Sequence, residues 1–225
     1  MTAQAFRPST PATAVAQYQP TMLDRTLQAL ITPALQAGAR VLVRLGIKAD
    51  TVSWAGFGLG LLGALCITQQ WMLAALVLMA LSRLADGLDG PVARLTRPTD
   101  RGAFLDITLD FVFYASVPLA FALANPAANA LAAAVLLAAF IGTASSFLAF
   151  AVLAERRGLK SLAYPAKGLY YLGGLTEASE TMACFAMMCW WPAWFASLAL
   201  GFAALCGLTL LARLHAGWHA FGEVH

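Results

Sequence analysis

Five of the chain's eleven carboxylates fall between Asp86 and Asp110, in the stretch DGLDGPVARLTRPTDRGAFLDITLD, and the sequence on either side is almost wholly apolar. Four of them form two pairs, Asp86/Asp89 at i,i+3 and Asp106/Asp110 at i,i+4. On a helix those spacings put both members of a pair on one face, one turn apart. Two helices facing each other with such pairs bring four carboxylates to one point. Bare carboxylates at that density repel one another strongly in a low-dielectric setting, so a cation must lie between them. Oxygen ligands with no His or Cys nearby suit Mg2+ or Mn2+, and two such ions beside a phosphate serve phosphoryl-type displacement. A solvated acidic loop also has this composition. It has no reason, however, to keep helical spacing on both sides or to set Gly90 and Gly102 beside the pairs.

The elements that must position these acids are helices in a membrane. The chain has 225 residues, 60% of them apolar and only 11% charged, where a soluble domain is about a quarter charged. The expected fold is all-α: a polytopic membrane protein with six transmembrane helices and an N-terminal amphipathic interfacial helix. Apolar segments at roughly 51–68, 72–95, 103–124, 128–154, 168–190 and 193–214 are near or above the ~20 residues that cross a bilayer core. Residues 21–47 place aliphatics on one side and Arg25, Arg40 and Arg44 largely opposite, a pattern suited to the membrane interface or to packing on the rest of the protein. Residues 1–20, rich in Pro, Ala, Thr and Gln and without a signal-peptide pattern, are expected to be a disordered tail. The six-helix domain is expected over 48–216 and a cytoplasmic tail over 217–225.

Lys and Arg set the orientation. Basic residues precede the first span and lie at the second connection (Arg94, Arg97, Arg101), at the fourth (Arg156, Arg157, Lys160, Lys167) and at the end (Arg213). The intervening connections carry none, and Trp71, Trp190, Trp191 and Trp194 gather there. This alternation is the positive-inside pattern, with both termini and the acidic motif on the cytoplasmic side of the cell inner membrane. The net charge of +3 gives no basis for nucleic-acid binding.

The order Asp86-x-x-Asp89-Gly90-x-x-Ala93-Arg94, seven residues, then Gly102-x-x-x-Asp106-x-x-x-Asp110 resembles the full signature of the CDP-alcohol phosphatidyltransferase family. The flanking segments FLDITLDFVFYASVPLAFALA and YYLGGLTEASET are most similar to a bacterial inner-membrane branch of that family. The resemblance implies transfer of a phosphatidyl-type group from a CDP-alcohol, with CDP-diacylglycerol the expected donor, to a small acceptor alcohol, with release of CMP, in phospholipid synthesis. It implies Asp86, Asp89, Asp106 and Asp110 as ligands of two Mg2+ or Mn2+ ions, and Asp110 also as general base. Gly90, Ala93 and Gly102 would leave room for the nucleotide, and Arg94 would pair with phosphate. A homodimer in membrane lipid is implied as well. Thr51 stands where the family closes its cytidine pocket, though Lys48-Ala49-Asp50 replaces the usual Pro-Asn; a helix-start role suits Thr51 equally.

Glu177 and Glu180, a third acid pair at i,i+3 inside an apolar run, are costly at that depth. They are expected to support acceptor recognition or to pair with a cation such as Arg83. Arg156, Arg157, Lys160 and Lys167 could hold a phosphate on the acceptor, though topology alone also accounts for them. His215 and His219 lack a third ligand nearby, and the four cysteines, without CxxC spacing, read as small core hydrophobes. An ion- or proton-coupled transporter using its intramembrane acids is the competing class. It would need polar groups along an exit path, and the far half of the chain offers almost none. A di-iron bundle would need Glu-x-x-His pairs, which the sequence lacks.

Overall fold

Glycines on one face of a helix near the N-terminus set the packing on which the acidic site depends. The structure, a computed structural model, describes residues 22–157, 176 and 178–222. Among them are seven α-helices: α1 (Met22–Arg44), α2 (Ala49–Thr68), α3 (Met72–Leu95), α4 (Asp100–Ala124), α5 (Pro126–Arg156), α6 (Ala178–Trp190) and α7 (Phe195–Phe221), with a 3-10 turn at Pro192–Trp194 before α7. Helix α2 packs on α3 and α4, α5 on α4 and α7, and α1 on α3, while α6 touches α3 and α7.

Local chemistry explains most of the boundaries. Helix α1 ends in a Schellman motif: Gly46 N–H donates to the Val43 carbonyl and Ile47 N–H to that of Leu42, both at 3.0 Å. Gly46 sits at φ +72°, where a Cβ is disfavoured. Helix α4 starts three residues earlier than its apolar run because the Thr99 hydroxyl accepts from Gly102 N–H at 3.1 Å, an N-cap. Helix α5 is capped likewise by Asn125, with Pro126 in its first turn. At the other end of the chain α7 continues to Phe221, so residues 217–221 are helical.

Four segments are long and apolar enough to cross a membrane by length and composition: α2, α4, α5 and the stretch Pro192–Phe221. Helix α3 is long enough, at 24 residues, but carries Arg83, Asp86, Asp89 and Arg94. Helix α6 has 13 residues, and residues 168–175 of the span expected there lie outside the described residues. Large aliphatics face outward, Leu131 at 79% and Ile141 at 70% exposure, as lipid-facing positions do. The chain is a multi-pass membrane protein.

The core joins Ile67, Met79, Phe113, Phe121, Phe185 and Phe195, with Phe121 stacked on Phe195 at 4.4 Å between centroids. Three of the four cysteines, Cys184, Cys189 and Cys206, are free and buried in it. On α2, Gly56 and Gly60 let its neighbours come close, the use that small-xxx-small spacing has between membrane helices. A Cβ at Gly56 would lie 2.9 Å from Ala85 Cβ on α3. One at Gly60 would lie 2.5 Å from Phe113 Cδ2 on α4 and 2.9 Å from Ser82 Oγ on α3. Gly60→Ala is therefore expected to overpack the junction of three helices and cost about 1–3 kcal/mol. Thermal unfolding in detergent measures this against Gly58→Ala, where nothing lies within 4 Å; equal melting temperatures would contradict the packing.

Candidate active site

The close approach of α2 to α3 and α4 builds a recess lined by Ser53, Phe57, Arg83 and all four aspartates, Asp86, Asp89, Asp106 and Asp110. Asp86 and Asp89 reach it from one face of α3, Asp106 and Asp110 from one face of α4, as the i,i+3 and i,i+4 spacings require. One carboxylate oxygen from each of Asp86, Asp89 and Asp106 falls within 4.8 Å of the others. Asp89 is the most buried of the three, at 8% exposure, and the Ser53 hydroxyl donates to its Oδ2 at 2.6 Å. Three hard oxygen donors at that separation, one of them held by a hydroxyl, fit a small divalent cation.

Asp110 lines the same recess but is engaged differently. Its Oδ1 accepts a hydrogen bond from Arg83 Nη1, and the same nitrogen lies 3.5 Å from Asp86 Oδ2. Arg83 Nη2 also donates to Ser82 Oγ at 3.3 Å. The guanidinium carbon stands 4.2 Å from the centroid of Phe113 and 5.7 Å from that of Tyr114. The cation expected to meet Glu177 or Glu180 bonds to Asp110 on the helix opposite and lies near Asp86, one turn along its own helix. Sequence reasoning passed over its place in the site. The signal was present: an arginine three residues before Asp86, inside an apolar run where an unpaired charge is costly.

The nucleotide candidates lie just outside the recess. Gly90 follows Asp89 on α3, and the Arg94 guanidinium lies over it, 3.3 Å from where a Cβ would be. Ala93 is half-buried on the next turn and Thr51 is exposed in the first turn of α2. Gly102 sits at the start of α4, where a Cβ would be 3.5 Å from Asp50 Oδ1. Asp50 in turn pairs with Arg101, an ion pair that ties the starts of α2 and α4 and that the sequence did not suggest.

Among the described residues, the acceptor candidates Arg156, Arg157 and Glu180 do not line the recess that holds the carboxylates. Arg157 donates to the carbonyls of Ala220 and Phe221 at 3.2 and 3.1 Å, satisfying the last turn of α7. Arg156 is exposed, as is Glu180, which accepts from Ser179 at 3.1 Å. Lys160, Lys167 and Glu177 lie outside the described residues.

Apolar helices exposing aliphatics outward and converging on a carboxylate cluster define an integral membrane protein with a polar centre able to hold a cation. A sequence model of the CDP-alcohol phosphatidyltransferase family matches residues 47–213; the chain belongs to that family and is an enzyme of that class. It is 51% identical over 197 residues to the inner membrane protein YnjF of Escherichia coli (strain K12), covering 88% of this chain and 96% of that one. The fold is similar to that of the phosphatidylinositol phosphate synthase PgsA1 of Mycobacterium tuberculosis. Its crystal structure with CDP-DAG bound matches at a TM-score of 0.66 and 22% identity, over 85% of this chain and 98% of that one. The structure of PgsA1 with manganese and citrate matches equally well, over 85% and 93%. At that identity the likeness carries the fold.

Proposed function

We propose that the chain moves a phosphatidyl group from CDP-diacylglycerol to an acceptor alcohol and releases CMP. The observation that carries this reading is the convergence of Asp86, Asp89 and Asp106 oxygens within 4.8 Å of one another, with Asp110 beside them, in a chain of this family. A divalent ion on those carboxylates, Mg2+ or Mn2+, would neutralise the diphosphate and stabilise the departing CMP. Asp110, one turn beyond Asp106, takes the proton from the acceptor hydroxyl. The acceptor oxygen then bonds to the β-phosphorus as the bond to CMP breaks. Gly90, Ala93 and Gly102 leave the nucleotide room against α3 and α4, Arg94 pairs with a phosphate oxygen, and Thr51 borders the base. On the acceptor side Arg156, Arg157, Lys167, Glu177 and Glu180 remain the candidates, with Arg157 the weakest because two of its five N–H donors are engaged by the end of α7.

In this reading α3 and the segment that includes α6 complete six spans, and α1 lies along the inner leaflet. Both termini and the recess face the cytoplasm, where CDP-activated donors are, and two chains pair in the membrane. The clustering of Arg94, Arg97, Arg101, Arg156 and Arg157 at helix ends opposite Trp71, Trp190, Trp191 and Trp194 supports that orientation.

Purified protein in detergent with Mn2+ or Mg2+ and CDP-diacylglycerol is expected to release CMP only when a suitable alcohol is added. Screening alcohols by CMP release and lipid mass identifies the acceptor. CMP release that ignores every alcohol, or proton flux in liposomes without CMP, would overturn the reading.

A further inference from the structure

Arg83 is an arginine within the recess that the family signature does not contain, and its placement bears on how many metal ions the site holds. Three features fix the guanidinium. It bonds to Asp110 with Asp86 3.5 Å away, it donates to Ser82, and it lies 4.2 Å over the ring of Phe113. Phe113 is fully buried and seated against Gly60, whose missing Cβ makes its space. The cation therefore rests on a packed platform, and its side chain is 18% exposed. The three carboxylate oxygens close enough to share an ion belong to Asp86, Asp89 and Asp106; the fourth acid, Asp110, is the one hydrogen-bonded to Arg83.

We infer that Arg83 occupies the second cation position of the site. In the absence of donor the chain then binds one divalent ion, on Asp86, Asp89 and Asp106, instead of the two that four carboxylates with no arginine among them would take. Arg83 is a positioning residue: it neutralises Asp110 without covering both its oxygens, so Asp110 stays outside the metal's ligand set and available to accept a proton. A second divalent ion shared by Asp110 and Asp86 would compete with Arg83 Nη1, which already bonds to Asp110 Oδ1 and lies 3.5 Å from Asp86 Oδ2. The inference rests on the metal-dependent reading above and specifies the charge arrangement of that same site.

Mn2+ titration of the full-length protein in detergent without donor, with free Mn2+ followed by electron paramagnetic resonance, tests it. The expected stoichiometry is one ion per chain for the parent, two for Arg83→Met, and one for Arg83→Lys, which restores the charge. Two ions bound by the parent, or one by Arg83→Met, would overturn the inference while leaving the metal-dependent enzyme intact. No bound ion in the parent would overturn both. If Arg83→Met does not fold, the parent's stoichiometry decides alone.

Discussion

Asp110→Asn is expected to slow CMP release by about 10²–10⁴-fold, the range for loss of a positioned general base, while leaving the affinity for CDP-diacylglycerol largely intact. The two effects separate because the three oxygens that come together for a cation are those of Asp86, Asp89 and Asp106, and Asp110 is not among them. Asn preserves the shape of the side chain and an oxygen that accepts from Arg83 Nη1. The half-buried guanidinium therefore keeps its hydrogen bond, and the substitution removes the charge and basicity. Ala would strand Arg83 beside a cavity, and breaking a buried pair by deleting one partner is destabilising in itself. Asn is thus the cleaner variant. Donor affinity is read by binding of the CDP-lipid and turnover by CMP release. If both fall together, Asp110 binds the donor; if turnover stays at the parent rate, it is not the base.

Much of this site is legible in the sequence, for a physical reason. Helical spacing is fixed, so Asp86/Asp89 and Asp106/Asp110 can only present paired faces, and a chain this apolar has to turn those faces inward. The helix limits are less legible. Apolar runs mark what lies in the hydrocarbon, whereas the helices continue to their caps: Thr99 begins α4 before the run does, and α7 extends past it to Phe221. The partners of the acids are least legible, because they are set by tertiary approach. Nothing in the spacing of Ser53 and Asp89, 36 positions apart, announces their hydrogen bond. It exists because Gly56, one turn along α2 from Ser53, allows that helix to lie against Ala85 of α3. Arg83 is visible as an intramembrane charge, but a linear reading cannot choose between the acids of α6 and those of α4. Nor does the sequence around Arg157 reveal that the end of α7 engages two of its donors, which is why its assignment to the acceptor weakens.

The same tertiary partner gives the second large effect its internal control. Asp89→Ala is expected to reduce Mn2+ affinity by more than the roughly 10–100-fold that follows loss of a group supporting a metal ligand, and to reduce CMP release at fixed metal in parallel. Ser53→Ala removes only the hydroxyl that donates to Asp89 Oδ2 at 2.6 Å, so it is expected to fall within that roughly 10–100-fold range and to regain turnover as Mn2+ is raised. The order of the two follows from their chemistry. Asp89 contributes one of three anionic oxygens, and a divalent ion left with two loses both a bond and a unit of neutralising charge. Ser53 orients an oxygen that stays in place without it, tethered by α3. Isothermal titration with Mn2+ gives the affinities, and CMP release against metal concentration gives the rescue. Parent-like Mn2+ affinity in Asp89→Ala would place the ion elsewhere. Equal losses in the two variants would mean that Ser53 is itself a ligand, with the metal seated nearer to α2 than the three carboxylates alone would put it.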